Sequence, residues 1–349
     1  MTISLVTAPV GVREADLANV AETARIDAFV RQHSAGTPFH LTGWSRAIAS
    51  GCGQRAHYLL AEQADGELVG ILPLTEMRSR LFGKAMVSAG FAVDGGILGG
   101  ARESLASGAS SLAQACGCPG VELRGGDAPD GWETDETSYL GFVRALAADD
   151  DAELLAIPRK QRAEVRRSLG FDLEVATGTG ATMLAEHYRV YAESVRNLGT
   201  PVFPAALFRA VVHEIDTDIL TVRHGGRAVA SVLSLYHGGT VYPYWGGGTA
   251  EARALRANDR LYYALMSHAR ARGCTRFDFG RSKTGTGAAA FKKNWGFVPE
   301  ARRYAKSSDG PAREVNPLNP KYALMVRTWQ KLPLPIANLV GPWIARGLG

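Results

Sequence analysis

Cysteine is scarce in this chain of 349 residues, and its scarcity removes several classes of protein. Cys52, Cys116, Cys118 and Cys274 are too few and too irregularly spaced for a disulfide framework. Cys116 and Cys118 form CxC, not the CxxC of redox and zinc sites, so the thiols read as ordinary side chains in a reducing compartment. No run of about 18 apolar residues occurs, so no segment reads as a membrane-spanning helix. The N-terminus lacks a basic region followed by an apolar run, so a secretory signal is not expected and a cytoplasmic location is the expectation. GxxxxGK[ST], HExxH and GxSxG are all missing, and the eight histidines are dispersed. A nucleoside-triphosphate loop, a metal site and a nucleophile elbow are therefore not expected. An excess of one charge sign is lacking too: 39 Lys and Arg against 34 Asp and Glu leave a formal +5. That balance admits an anionic partner without requiring one, and gives no sign of DNA binding.

Apolar residues, in contrast, make up 46 %, enough for proper cores, and the length suits two domains. The stretch from Ala56, AHYLLAEQADGELVGILPLTEMRS, reads as two strands joined at Asp65–Gly66. The stretch from Asp218 has the same form, with turns at Gly225–Gly226 and Gly238–Gly239. Each hairpin is followed by a helical run, a glycine and a short strand: Glu103 to Gly125 in the first half, Asn258 to Gly280 in the second. Leu261, Leu265 and Ala269 recur every four residues, which defines one buried helical face. Repetition of this order predicts an α/β (α+β) fold of two like domains, each a mixed sheet flanked by helices. The expected division is 1–150 and 151–331, with an apolar tail over 332–349.

Between the halves, PRKQRAEVRRSLG predicts a basic helix at 158–169, either a solvated face or an electrostatic rim for a phosphate-bearing substrate. The tail, broken by prolines and glycines, either wraps back over the second domain or lies on a bilayer with Trp343 at the interface.

Candidate chemistry gathers in RFDFGRSKTGTGAAAFKKNWGF, from Arg276. Strand alternation puts Phe277 and Phe279 on one side and Asp278 on the other, beside Arg281, Ser282 and Lys283. A short helix over FKKNWGF would turn one lysine toward a cleft framed by Phe291 and Trp295, where it offsets negative charge on a carbonyl oxygen or holds a phosphate. VYPYWGGG supplies Tyr242, Tyr244 and Trp245, followed by Gly246, Gly247 and Gly248, as a cleft wall or as core.

These segments, with FHLTGWSRAI from Phe39, NLGTPVFP from Asn197, NPLNPKY from Asn316 and the terminal LPLPIANLVGPWIARGLG, resemble the FemAB-related proteins of exosortase and PEP-CTERM systems. More broadly, they resemble Fem-type peptidyltransferases and the BioF2-like acyltransferase domain. The resemblance spans nearly the whole chain. It implies tandem GNAT-like domains and an N-acyl or aminoacyl transferase that forms an amide on a glycan or peptide amine in exopolysaccharide or cell-envelope synthesis. It places Lys292 at the charge-steadying lysine of the family's FK..(F/W)G segment. With that frame, Lys292 and Asp278 are the expected catalytic pair, Tyr242, Tyr244, Trp245, Gly246, Gly247 and Trp295 contact substrate, and Arg281 and Lys283 contact donor phosphates. No cofactor is implied. The long helical arm of some tRNA-using relatives and the (Q/R)xxGx(G/A) pyrophosphate loop are both missing, which leaves acyl-CoA, acyl carrier protein and aminoacyl-tRNA open as donors. A non-catalytic scaffold of a polysaccharide system, docked at the inner face of the membrane, is the reading from another class.

Overall fold

The computed structural model describes residues 10–307 and 320–349. NPLNPKY lies outside them apart from the backbone of its last three residues. Eight strands come from the first part of the chain: β1 (Gly11–Glu14), β2 (Arg55–Glu62), β3 (Leu68–Ser79), β4 (Gly83–Ser88), β5 (Leu98–Gly99), β6 (Val121–Arg124), β7 (Glu133–Asp135) and β8 (Tyr139–Ala145). Seven follow: β9 (Glu174–Gly178), β10 (Thr217–His224), β11 (Arg227–His237), β12 (Thr240–Gly248), β13 (Arg276–Lys283), β14 (Pro299–Ala301) and β15 (Tyr304–Lys306). Helices α1 (Val20–Gln32), α2 (Thr42–Cys52) and α3 (Arg102–Ala115) accompany the first set. α4 (Asp150–Ala156), α5 (Arg159–Leu169), α6 (Ala181–Asn197), α7 (Ala205–Glu214), α8 (Ala257–Ala271) and α9 (Gly287–Asn294) accompany the second. α10 (Pro320–Lys331) and α11 (Leu334–Ala345) close the chain.

The hairpins fall where the glycines put them. Gly225–Gly226 and Gly238–Gly239 all have positive φ, the pair of left-handed residues that a two-residue turn needs to match strand twist. The two sheets then repeat one order. The first runs β1-β2-β3-β4-β6-β15-β7, and the second β9-β10-β11-β12-β13-β8-β14. In each, the fourth and fifth strands of that order are parallel, joined through a helix, while their other neighbours are antiparallel. Even the helix entries correspond: Ala101 before α3 and Arg256 before α8 are both left-handed non-glycine residues.

The sixth position departs from the expected division at residue 150. β8 belongs by sequence to the first half but pairs with β13 and β14 in the second sheet. β15, from the far end of the second half, pairs with β6 and β7 in the first. The halves exchange one strand each, so a boundary drawn from composition does not coincide with the boundary between sheets.

Their cores are also fused. Trp44 of α2 is fully buried, donates its indole N–H to Gly90 O at 3.1 Å, and meets Tyr244 and Trp245 of β12 at 5.5 and 6.1 Å between ring centroids. Helices α2 and α7 approach closely because Gly51 faces Leu207, where a Cβ would come within 2.5 Å of the Leu207 Cα. The basic helix forms as α5, and part of its charge is used locally. Arg162 donates to Leu155 O and Ile157 O at the end of α4, and Glu164 pairs with Arg256. The tail forms α11, which lays Ala337, Gly341 and Ala345 against the fold and keeps Ile336, Leu339 and Trp343 outside.

Strand exchange makes a specific prediction. Fragments 1–150 and 151–349 expressed apart are expected to aggregate or lack a cooperative melt, since each sheet loses its sixth strand, while co-expression restores a single transition. Independent cooperative unfolding of either fragment by circular dichroism would refute the interdependence.

Candidate functional site

The cleft arises from a defect built into the second sheet. β12 and β13 are hydrogen-bonded only at Thr240–Arg276 and Val241–Phe277, and beyond that pair they separate although both continue for several residues. Each carries a bulge where they part. On β12, Leu233 of the neighbouring strand faces Trp245 and Ser234 faces Pro243, so Tyr244 is the extra residue. On β13 the register to β8 shifts between Asp278 and Arg281, around Gly280 with φ 65°. Bulges re-aim side chains and end pairing. Pro243 fits such a position because it lacks the N–H that a regular ladder uses.

A cavity of about 410 Å³ fills the resulting gap. Lys292, Asp278, Tyr242, Tyr244, Trp245, Gly246 and Arg281 all line it, so seven of the ten expected site residues converge. Phe91 and Val93 of the first half complete the wall, with Tyr262, Phe279 and Phe291 behind. In the first half, the Arg124 guanidinium of β6 donates to Ala92 O at 3.1 Å.

Lys292 projects from α9. Its ammonium donates to Arg281 O at 2.9 Å and Gly280 O at 3.4 Å, and lies over the Phe142 and Phe279 rings. An ammonium has three protons, so these two contacts leave one for a ligand. Burial lowers its pKa to about 8, against the opposing pull of Asp278. Asp278 accepts from Gly280 N–H at 2.7 Å and faces Arg302 at 3.5 Å, and burial raises its pKa although Arg302 works the other way. Arg302 also holds Asp94 of the first half at 3.1 Å, where burial again raises the carboxyl. Gly141 leaves room for this guanidinium, since a Cβ there would collide with it. Arg281 lies 4.5 Å from the Tyr139 ring centroid and donates to Tyr304 OH, which in turn donates to Val93 O at 3.0 Å.

Three expected residues fall elsewhere. Trp295 is fully buried against Tyr262 and Phe291, because the helix carrying Lys292 turns that ring into the core. Gly247 backs onto Ser194 of α6 and serves close helix packing. Lys283 lies over Tyr139 at 5.8 Å, outside the lining. In the GTG stretch Gly285 makes a turn, and Thr286 caps α9 by accepting from Ala289 N–H at 3.3 Å.

Away from the cleft, His57, Glu76 and Cys116 bring ligand-type atoms within 4.8 Å of one another, a grouping that sequence spacing hides. Arg55, Arg78 and Lys84 already surround the Glu76 carboxylate and offset its charge.

The fold so assembled is that of tandem GNAT-like proteins. A family model described as an acetyltransferase (GNAT) domain matches residues 156–293. The FemX crystal structure superposes with a TM-score of 0.66 at 15 % identity, over 84 % of this chain and 96 % of FemX. A tandem GNAT protein from the clavulanic acid biosynthesis pathway gives 0.55 at 12 % identity, over 87 % and 100 %. Among curated proteins, a lipid II:glycine glycyltransferase of Staphylococcus aureus (strain USA300) is 27 % identical over 183 residues, 48 % of this chain and 42 % of that protein. The chain thus spans less than half the length of the curated relatives it matches.

Lys292→Met is expected to lower turnover about a hundredfold while leaving the protein as stable or more so at pH 7. The sign follows from the lysine's depressed pKa, about 8 folded against 10.5 in the free side chain. Between those values the unfolded chain binds the extra proton, so stability rises with pH. Any stability advantage of the Met variant should be present below pH 8 and gone by about pH 10.5, read from paired thermal melts. An advantage that persists at high pH would mean that the lysine ionises normally. Asp94→Asn is expected to change stability little at pH 7, because burial already raises the Asp94 carboxyl and Arg302 keeps Asp278 as a partner, and urea titration measures it.

Proposed function

We propose that the gap between β12 and β13 is the transfer site of an N-acyl or aminoacyl transferase. One observation carries the reading: a part-buried ammonium with an unused proton, Lys292, shares a small aromatic cavity with the carboxylate of Asp278. In the reaction, the acceptor's amine nitrogen forms a C–N bond to the donor carbonyl, and the electron pair moves onto the carbonyl oxygen. Lys292, held over the Phe142 and Phe279 rings, stabilises that oxyanion with its remaining proton. Collapse breaks the donor's C–O or C–S bond, and the leaving alkoxide or thiolate takes up a proton. The amine's surplus proton passes to Asp278, whose raised pKa makes it a better acceptor than an exposed carboxylate. No covalent enzyme intermediate is required.

Tyr244, fixed by its hydroxyl donating to Phe91 O at 2.5 Å, and Tyr242 form the wall against which the acyl group rests. Arg281 supplies positive potential at the mouth for a phosphate-bearing donor. The similarity to a lipid II:glycine glycyltransferase supports an amine on a cell-envelope precursor as acceptor and an aminoacyl donor. The exosortase-type resemblance extends this to exopolysaccharide assembly, with peripheral membrane contact through the tail. The acetyltransferase domain match favours, as a second reading, a CoA thioester at the same cleft.

Acyl-CoA, acyl carrier protein and aminoacyl-tRNA, each offered with an envelope-precursor amine, separate the donors. Amide formation with one of them is expected, with rate falling as pH rises through about 8 as Lys292 loses its proton. Turnover unchanged in Lys292→Ala would remove the assigned role.

A further inference from the structure

A second cavity, of about 490 Å³, lies far from Lys292 in sequence and in function. It forms where the β3–β4 hairpin meets the end of α11, and its lining includes Arg78, Arg80, Lys84 and Arg346 but no carboxylate. Glu76 offsets Arg78 and Lys84 from one side, through contacts of 2.7 and 3.9 Å. Among the described residues, Arg80 and Arg346 have no ion-pair partner, so their charge is uncompensated. The two segments are locked together. Gln54 donates to Arg346 O at 2.6 Å, and Gly347 fits against Ser79 so closely that a Cβ would come within 2.6 Å of its hydroxyl.

Apolar side chains protrude around this cationic pocket. Leu81 at the hairpin tip is 56 % exposed, and on α11 Leu339 is 81 %, Ile336 48 % and Trp343 46 % exposed. Trp343 also lines the pocket. Apolar side chains projecting beside uncompensated arginines, with a half-exposed tryptophan between, match a bilayer interface in both polarity and charge: acyl chains for the leucines, phosphate for the arginines. None of the described helices is long and apolar enough to cross a membrane, so the match is to a surface.

We infer that this face docks on an anionic membrane, with Arg80 and Arg346 holding a lipid phosphate and Leu81, Leu339 and Trp343 entering the interface. The inference deepens the membrane contact read for the tail and is independent of the transfer chemistry, because none of its residues touches the β12–β13 cleft. The test is co-sedimentation of the full chain with phosphatidylcholine vesicles, with and without phosphatidylglycerol. Binding is expected only with the anionic lipid and should weaken with added salt. R80A/R346A should lose roughly tenfold or more in vesicle affinity, and Leu339→Glu should lose binding while its melting temperature stays unchanged. Equal binding to both vesicle types, indifference to the arginine variant, or no binding at all would overturn the proposal. So would glycerol phosphate raising the melting temperature of a protein that ignores vesicles, since the pocket would then serve a soluble phosphate. Amide formation from soluble substrates, measured on the same variants, should be unaffected, which separates failure here from failure of the transferase reading.

Discussion

The guanidinium of Arg302 is the point on which the molecule turns. It sits on the short crossing between β14 and β15, where the chain leaves one sheet for the other, and it holds Asp94 of the first half and Asp278 of the second. Desolvation raises the pKa of both part-buried carboxyls against the pull of Arg302, and at Asp278 the charge of Asp94 adds to the rise. The nearby ammonium of Lys292 adds a smaller pull in the same direction as Arg302 at Asp278. The ion network that joins the halves is thus also the network that tunes the cavity. Changes in how the sheets meet will be felt in the acid–base character of Asp278.

Geometry and electrostatics have a common origin in the parting of β12 and β13. A regular parallel pair would satisfy its backbone groups within the sheet and offer no cavity. Two bulges end the pairing, and the Gly280 bulge also aims two carbonyls at Lys292 and one N–H at Asp278. The lysine is therefore held by the backbone irregularity that opens the cleft beside it. Such a constellation costs stability, since a desolvated cation and desolvated acids are kept where neutral groups would pack better. That is the usual character of a site kept for reactivity.

Local signals were legible in the sequence because their causes are local. Paired glycines dictate hairpins, a four-residue apolar period dictates the face of α8, and FKKNWGF marks the helix that carries Lys292. The convergence of Lys292, Asp278, Tyr242 and Tyr244 could be read because all four come from two segments of one repeat. Asp94 and Tyr304 could not: the Asp94–Arg302 pair joins residues 208 positions apart, and no periodicity records such a meeting. Short strands such as β14 and β15, three residues each, carry no mark of which sheet they will join. Trp295 misled for a related reason. It follows the last turn of α9 as the C-cap residue, where its ring packs on Tyr262 and Phe291 in the core, and the sequence does not mark where a short helix ends.

The exchange of β8 and β15 has a consequence for how the chain is made. Synthesis proceeds from the N-terminus, and domains generally fold as they emerge. Here the strand that sits between β6 and β7 is supplied by residues 304–306, after the whole second sheet has been translated. The leading half must wait on the ribosome with an open gap between two strands, while β8 waits for a partner sheet that does not yet exist. Such long-range pairing slows folding and exposes strand edges for the duration. The architecture that welds two repeats into one body thereby makes its birth depend on a late, nearly simultaneous closure of both.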